Sequence, residues 1–217
     1  MIWIKRAMEL LYWVTTKMKD PQLSSAHYVQ FYTTHFGLDA SFYSGKRILD
    51  IGCGPRGSLE WASNATERVG LDPLADSYLR LGASRHSMRY IAGHAENIPF
   101  PDGHFDVICS FNSLDHVDDL DRVIAEIPRV LKAGGLFLLL TDVNHSPTLT
   151  EPITYSWDIL ERFQPAFDLL DVRRYEKSKP GMYESIRAGV TYDDANPAKR
   201  YGILSAKLGR RPLAPAE

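Results

Sequence analysis

The sequence predicts a doubly wound α/β domain, in which helices cover both faces of a mostly parallel sheet. From residue 47 onward, short apolar runs such as RILDI at 47–51 and LFLLLT at 136–141 alternate with helical patterns. These runs are apolar throughout rather than alternating in polarity, as expected for strands buried on both faces of a parallel sheet. A glycine-rich loop follows the first run, at a place where doubly wound folds bind ligands.

The predicted elements follow one another along the chain. We expect strands at 47–51, 67–71, 88–92, 105–110, 136–141, 167–176 and 201–208, and helical segments at 58–64, 73–81, 119–132 and 155–163. Pro73 suits a first helical position, whereas Pro128 should kink its helix. No full helical pattern separates the last two strands, which predicts an antiparallel pair.

The section up to Ser44 predicts two helices. In the first, Trp3, Ala7, Leu10, Leu11, Val14 and Met18 recur at helical spacing. Packing on the domain is favoured and membrane association is not expected, although Trp3, Tyr12 and Trp13 leave a position on a membrane surface open. The second helix is predicted from Pro21 to Phe36, with Asp20 as its N-cap and Gly37 at its end. We therefore expect an N-terminal cap or lid at 1–44, the α/β domain at 45–209 and a tail at 210–217.

Composition sets broad limits on function. The chain has 217 residues, enough for one domain, with 44% hydrophobic and 24% charged residues and a net charge of −2. This balance gives no whole-chain attraction to nucleic acid. Cys53 and Cys109 form no C-x-x-C pair, and no signal peptide is recognisable, so we expect reduced thiols in a cytoplasmic protein.

The loop Gly52-Cys53-Gly54-Pro55-Arg56-Gly57 has the pattern G-x-G-x-x-G, and Asp72 follows about 20 residues later, the spacing typical of an acidic residue that binds a ribose. These features predict a cofactor containing adenosine, and they leave nicotinamide dinucleotides and S-adenosylmethionine open. Asp50 lies just before the first glycine. A carboxylate there repels a pyrophosphate but suits the ammonium and sulfonium groups of S-adenosylmethionine.

Five motifs resemble those of class I S-adenosylmethionine-dependent methyltransferases, specifically the ubiquinone/menaquinone-biosynthesis-like group. They are ILDIGCG at 48–54, VGLD at 69–72, GHAENIPF at 93–100, FDVI at 105–108 and RVLKAGG at 129–135. The resemblance implies a Rossmann-like sheet of seven strands with a reversed last strand. It also implies S-adenosyl-L-methionine as cofactor, S-adenosyl-L-homocysteine as product and methyl transfer to a small molecule.

The same resemblance implies positions for the cofactor. Gly52, Cys53 and Gly54 would pass beneath the methionine and ribose, and Asp72 would hold the ribose hydroxyls. Leu71 and Pro73 would flank the adenine, Ala95 would offer its N–H to the ring, and Asn112 would lie near the methionine. His94 stands where the family usually has aspartate, which predicts a weaker or rearranged adenine contact.

Methyl transfer needs in-line alignment, and a base only when the acceptor starts protonated. His116 is the best candidate base, because it follows the fourth strand and an ordinary histidine titrates near neutral pH. Asp115 is the next candidate, and His145 is interpreted as a loop residue. No two histidines have the spacing of metal ligands in one element. Asp118 and Asp119 suit the start of a helix. We therefore predict no metal site.

Aromatic residues of the N-terminal section and of 144–161 could form a lid over the acceptor: Tyr28, Phe31, Tyr32, Tyr155 and Trp157. The identity of the acceptor and the oligomeric state stay open. Two other functions also stay open, a nicotinamide-dependent oxidoreductase and a non-catalytic S-adenosylmethionine-binding protein.

Overall fold

The computed structural model describes residues 2–196, 198 and 200–212, and only the backbone of Ile2 and Trp3. Seven strands form one sheet: β1 (Arg47–Ile51), β2 (Glu67–Asp72), β3 (Arg89–Ala92), β4 (Phe105–Phe111), β5 (Leu131–Val143), β6 (Phe167–Glu176) and β7 (Gly202–Arg210). Their order is β3-β2-β1-β4-β5-β7-β6. β7 runs antiparallel to both of its neighbours, and the other pairs are parallel. The predicted doubly wound sheet with a reversed last strand is confirmed.

Six α-helices accompany the sheet within the described residues: α1 (Ile2–Lys19), α2 (Val29–Tyr32), α3 (Ala75–Arg80), α4 (Leu120–Val130), α5 (Ile159–Phe163) and α6 (Met182–Ala188). Apolar clusters fill both faces of the sheet. One contains Leu49, Ile108 and Phe137, and the other contains Ile48, Val107 and Leu138. Neighbouring residues of one strand therefore belong to opposite faces, which explains why these strands are apolar at every position.

The predicted helix from Pro21 to Phe36 is wrong. Leu23 takes a left-handed conformation with φ of 46°, which breaks any helix begun at Pro21. The Asp20 carboxylate pairs with Arg56 at 2.7 Å instead of capping a helix. Only α2, with 3-10 turns at Ala26–Tyr28 and Thr34–Phe36, forms in this stretch. Gly37 ends the last turn as predicted, with φ of 65°.

Other predicted boundaries also shift. Residues 58–64 form hydrogen-bonded turns rather than a helix, α5 begins only at Ile159, and α4 ends two residues after Pro128. β5 begins at Leu131, because that residue already pairs with Phe105 across a bulge. α6 was not predicted at all.

The expected tail at 210–217 begins too early, since β7 continues through Arg210; residues 213–217 of that tail lie outside the described residues. None of the described helices combines the length and the apolar character needed to cross a bilayer.

Candidate functional site

A cavity of about 760 Å³ lies at the carboxyl edge of the sheet. Residues at or just after the ends of β1, β2, β4 and β5 line it, and α1 and the start of α6 complete its walls. β1 and β4 are neighbours whose connections leave in opposite directions, so the cavity spans the topological switch point of the sheet. Ligands of open α/β sheets bind at this place.

The glycine loop approaches the loop after β4 too closely for a side chain at Gly52. Gly52 has φ of 71°, and a Cβ atom there would lie 2.3 Å from the Ser113 Cβ. The Ser113 hydroxyl donates to the Ile51 carbonyl at 2.9 Å, which fixes this loop against the end of β1. Glycine is therefore required at position 52 for both its backbone conformation and its small size.

Comparing alanine substitutions at Gly52 and at Gly134 separates the requirement for backbone conformation from the requirement for small size. We expect Gly52→Ala to lower the free energy of unfolding by about 2–5 kcal/mol, from left-handed strain plus overpacking. Gly134→Ala is the matched control, because Gly134 has φ of 75° and open space around its Cβ position. It should cost only the strain, about 1–2 kcal/mol. Urea denaturation measures both, and equal losses would contradict the close contact with Ser113.

The carboxylate of Asp72 organises the loops on either side of it. Its Oδ2 atom accepts from the Gly54 N–H at 3.3 Å, and its Oδ1 atom accepts from the Leu74 N–H at 2.8 Å. Asp72 is buried, and burial, reinforced by the charge of Glu9, raises its pKa to about 7. The structure thus holds a buried carboxyl whose ionised form has no counter-charge among the described residues.

Asp50 is a second buried carboxyl at the same edge. The Tyr32 hydroxyl donates to its Oδ2 atom at 3.0 Å, and burial raises the pKa of Asp50 to about 7. Both residues line the cavity, on either side of the glycine loop in sequence. A cationic ligand would stabilise their ionised forms, because buried carboxylates without a counter-charge are costly.

The charge of the whole cavity favours the same kind of ligand. Of the described residues that line it, eight are acidic and four are lysine or arginine. The acidic ones are Glu9, Asp50, Asp72, Glu96, Asp118, Asp142, Glu151 and Glu184. Such walls repel a pyrophosphate and attract ammonium or sulfonium groups, since charge in a cleft selects its ligand by sign. The cavity therefore fits the methionine part of S-adenosylmethionine better than a nicotinamide dinucleotide.

The remaining residues predicted to contact the cofactor also line the cavity. Leu71, Pro73, His94 and Ala95 lie on the β2 and β3 side, and Cys53 lies within the glycine loop. The His94 ring is engaged by α1, since the Arg6 guanidinium donates to its Nε2 atom at 2.8 Å. This bond occupies the ring nitrogen that would otherwise accept from an adenine amino group.

Asn112 lies where the cavity passes from β1 to β4. It has φ of 55°, unusual for a residue other than glycine, and its N–H donates to the Leu140 carbonyl at 2.8 Å. Left-handed asparagine is tolerated better than most residues, and strained backbone tends to occur at functional sites. Asn144, after β5, has a similar φ of 59°.

His116 lines the cavity on the side of β4 and β5, and burial lowers its pKa. Its Nε2 atom lies 3.9 Å from the Asp115 Oδ1 atom and 3.8 Å from the Glu151 Oε1 atom. At neutral pH the ring is therefore neutral and can accept a proton.

Asp115 lies behind His116 rather than on the cavity wall. Its side chain is only 1% exposed, its Oδ1 atom has no hydrogen-bond partner among the described residues, and burial raises its pKa to about 7. Direct contact with an acceptor is not available to it, which revises the expectation that Asp115 is a second catalytic residue. His145 is buried beside it, with its Nε2 atom 3.7 Å from the Asp115 Oδ2 atom, so His145 is not an ordinary loop residue.

The histidines and acids that looked scattered in the sequence are partly brought together. Asp115, His116 and Glu151 have one ligand atom each within 4.8 Å of one another, an arrangement that could hold a metal ion. Glu151 comes from the segment after β5, and sequence spacing gave no sign of it. His104 is instead paired with Glu67 at 2.7 Å, next to the first residue of β4 and at the opposite edge of the sheet. Asp119 caps α4 as expected for a helix start, accepting from the Arg122 N–H at 3.2 Å.

A buried ion pair on the far side of the cavity escaped sequence analysis. The Asp142 carboxylate near the end of β5 lies 2.9 Å from the Lys177 Nζ atom and accepts from the Tyr201 hydroxyl at 2.7 Å. Only the position of Asp142 near the carboxyl end of a predicted strand could have indicated it. Met182 and Tyr183 of α6 line the same side.

The predicted aromatic lid is only half right. Tyr28 and Tyr32 line the cavity, whereas Phe31, Tyr155 and Trp157 do not belong to its described walls. Phe31 lies in the core, Tyr155 is buried against Thr141, and Trp157 packs on Tyr192. Two residues of α1 that were not assigned to the lid, Tyr12 and Trp13, do line the cavity.

Comparisons with known proteins agree with this geometry. A family model described as a methyltransferase domain matches residues 49–139, from β1 to β5. The ubiquinone/menaquinone biosynthesis C-methyltransferase UbiE of Psychromonas ingrahamii is 33% identical over 144 residues, which cover 58% of this chain and 56% of that protein. The chain is therefore similar to methyltransferases, among them one of ubiquinone/menaquinone biosynthesis.

A second relative is the phthiotriol/phenolphthiotriol dimycocerosates methyltransferase 1 of Mycobacterium ulcerans. It is 34% identical over 114 residues, which cover 50% of this chain and 41% of that protein. The chain thus spans about half the length of the curated relatives that it matches.

The fold is shared with solved structures. A putative S-adenosylmethionine-dependent methyltransferase from Listeria monocytogenes superposes with a TM-score of 0.59 at 14% identity, over 78% of this chain and 93% of that one. The name of that structure describes the Listeria protein as dependent on S-adenosylmethionine.

Proposed function

We propose that this protein is an S-adenosylmethionine-dependent methyltransferase that acts on a lipophilic small molecule. The observation that supports this most directly is the pair of buried carboxyls, Asp50 and Asp72, around the glycine loop of an acidic cavity. The bound cofactor would supply an electrophilic methyl group on a sulfonium. The chain's own residues would bind that cofactor, align the acceptor with it and exclude water.

The residues that would bind the cofactor lie mainly on the side of the cavity formed by β1 and β2. Asp72 accepts hydrogen bonds from ribose hydroxyls while keeping its bonds to the Gly54 and Leu74 N–H groups, since a carboxylate has about four acceptor sites. Asp50 faces the ammonium and sulfonium, directly or through water. Gly52, Cys53 and Gly54 pass beneath the methionine and ribose. Leu71, Pro73 and Ala95 surround the adenine, and Asn112 lies near the methionine.

His94 has a different role from the one expected of an adenine ligand. Its bond to Arg6 ties the loop after β3 to α1. Trp13 of the same helix covers the glycine loop, because a Cβ atom on Gly54 would lie 3.0 Å from its ring. We propose that residues 1–44 are a cap over the cofactor, with the methyltransferase domain beginning at about residue 45.

The residues that would bind and activate the acceptor lie on the side of the cavity formed by β4, β5 and β7. His116 is the general base when the acceptor begins protonated, and Asp115 is a positioning residue behind it. Methyl transfer is an in-line displacement, so holding acceptor and methyl in line contributes most, about 7–11 kcal/mol. Phe111, Val117, Met182 and Tyr183 give this side an apolar wall.

A lipophilic acceptor is consistent with that apolar wall and with the compounds that the names of the relatives give. The names of two relatives assign them to ubiquinone/menaquinone biosynthesis and to phthiotriol dimycocerosates, which are lipids or lipid-soluble compounds. Both cysteines are free and buried, in keeping with a cytoplasmic protein. A nucleic acid is a poor candidate acceptor for the acidic cavity.

Calorimetry with S-adenosylhomocysteine tests the cofactor half, with NADH as the comparison. We expect binding of the first, accompanied by proton release below pH 7. The Asp50 and Asp72 pKa values near 7 in the free protein should fall when the ligand's ammonium and ribose stabilise the carboxylates. Affinity should then rise by about tenfold per pH unit, for each coupled carboxyl, as pH approaches 7, and level off above it.

Comparing buffers of different ionisation enthalpy counts the protons released. Binding of NADH alone would support the oxidoreductase alternative and overturn the proposal. Binding of S-adenosylhomocysteine without methyl transfer to any of a broad panel of lipophilic phenols, quinols and fatty acids would instead support a non-catalytic binding protein.

A further inference from the structure

The outward face of α1 is its most apolar face. Exposed positions recur every three or four residues along the helix, at Ile4, Ala7, Met8, Leu11, Tyr12, Thr15 and Met18. Five of them are among the ten large apolar side chains that are exposed in the described chain, and Met18 is 78% exposed. A helix that packs on a domain usually buries such a stripe and exposes its polar side. α1 does the reverse.

Contacts on its inner face fix this orientation. Lys5 donates to the His116 carbonyl and Lys17 donates to the Leu81 carbonyl. Arg6 donates to His94, and Trp13 packs edge-on against Tyr78, with ring centroids 6.2 Å apart. Turning the apolar stripe inward would break these contacts. The stripe is therefore available to a partner outside the described chain.

The charge on α1 indicates what kind of partner this is. The helix carries four basic side chains and one acidic one, whereas the whole chain has a net charge of −2. Lys5, Arg6 and Lys17 are held by the inner-face contacts, whereas Lys19 is exposed at the end of the helix. The exposed Arg80 adjoins Leu81, to which Lys17 is bonded. An apolar stripe with exposed basic side chains beside it is typical of helices that lie in the interface of an anionic bilayer.

The stripe is continuous with the cavity. Met8 and Tyr12 belong to the outward face and also line the cavity wall. We propose that α1 docks on anionic lipid surfaces with Ile4, Met8, Leu11, Tyr12 and Met18 inserted among the headgroups, so that the cavity mouth opens at the bilayer. This reverses the expectation that the chain does not associate with membranes. Delivery of an acceptor from the bilayer rests on the proposed function, whereas docking itself does not.

A second copy of the chain fits the stripe less well. α1 is about 27 Å long and about 10 Å wide, so its outward face offers only about 270 Å². A stable interface between proteins needs about 800 Å² on each partner. A bilayer requires no such area, because a few inserted side chains and several basic groups suffice for reversible binding.

Vesicle flotation tests the proposal. The probes are vesicles of phosphatidylcholine with about one quarter phosphatidylglycerol, compared with pure phosphatidylcholine. The variant Ile4→Gln/Leu11→Gln/Met18→Gln removes three outward side chains that do not line the cavity. The matched control Leu149→Gln/Leu170→Gln/Val190→Gln changes three similarly exposed apolar residues elsewhere. We expect the α1 variant to lower binding to the mixed vesicles at least tenfold, and the control to leave it unchanged.

We also expect the wild-type protein to bind pure phosphatidylcholine vesicles more weakly, because these carry no net negative charge. It should bind the mixed vesicles more weakly at about 0.5 M salt, because salt screens the electrostatic attraction. Equal binding by the α1 variant and the control would overturn the proposal, as would an α1-dependent dimer in sedimentation with no vesicle binding. Calorimetry with S-adenosylhomocysteine on the α1 variant should give wild-type affinity. A wild-type protein that floats but fails to bind S-adenosylhomocysteine would refute the proposed function and not the docking.

Discussion

Asp72→Asn should weaken the binding of S-adenosylhomocysteine about 100-fold, or about 2.7 kcal/mol, because two charge-assisted hydrogen bonds to the ribose are weakened. An asparagine has one acceptor oxygen and one donor group at the tip of its side chain. The Leu74 N–H can still be satisfied, but the amide group faces the Gly54 N–H as a second donor. The side chain therefore no longer offers one carboxylate oxygen that accepts from both the ribose and the Gly54 N–H.

The fold should tolerate this substitution. Burial raises the pKa of Asp72 to about 7, so near neutral pH about half of the free protein already carries the neutral side chain, which asparagine resembles. The lost Gly54 bond should lower the free energy of unfolding by about 1 kcal/mol, whereas the free energy of binding should fall by about 2.7 kcal/mol. This difference separates a binding role from a structural one.

Asp142→Asn is the matched control for Asp72→Asn. Asp142 is also a buried acid on the cavity wall, but it lies near the end of β5 and is already paired with Lys177. Its replacement removes one carboxylate from the cavity wall without touching the ribose, so affinity should change by no more than about twofold, as for a remote charge in a screened site. Equal losses in the two variants would show that the cavity acts through its total charge, and unaltered binding by Asp72→Asn would remove the proposed ribose contact.

Sequence analysis predicted the sheet well, because burial on both faces leaves a continuous apolar signal that polar loops interrupt. β1 and β6 begin and end where predicted. The residues on the cofactor side could be predicted equally well, since the glycine loop, Asp50 and Asp72 are close in sequence and lie in or next to the first two strands. Their placement on one cavity wall follows from strand order alone.

The rest of the site depends on contacts between distant segments. Nothing near Leu23 in sequence signals a left-handed residue, and without it the stretch from Pro21 onward looks helical. Glu151 and Lys177 reach the cavity from loops after β5 and β6, and their partners lie far away in sequence. The helical period of α1 was visible, but which face turns outward is decided by Lys5, Lys17 and Arg6 bonding to other loops.

The acceptor side yields the second large effect. His116→Ala should lower methyl transfer about 100-fold or more for an acceptor that begins protonated, because general base catalysis contributes about that much. The affinity for S-adenosylhomocysteine should stay near the wild-type value, since His116 lies on the β4 and β5 side of the cavity. Formation of S-adenosylhomocysteine over a panel of phenols and quinols measures the first, and calorimetry the second.

The pH profile distinguishes a base from a residue that merely packs. Burial lowers the pKa of His116, so the neutral, active ring should persist below the usual histidine range, and turnover should fall only as pH drops through that lowered value. Asp115→Asn removes the acid 3.9 Å from the ring while leaving His116 in place. It should displace the acid limb of the profile and lower the maximal rate less than His116→Ala does. If Asp115→Asn left the profile in place, Asp115 would have no positioning role. If His116→Ala kept full turnover, the base would have to be sought elsewhere on the cavity wall, where Glu151 is the nearest alternative.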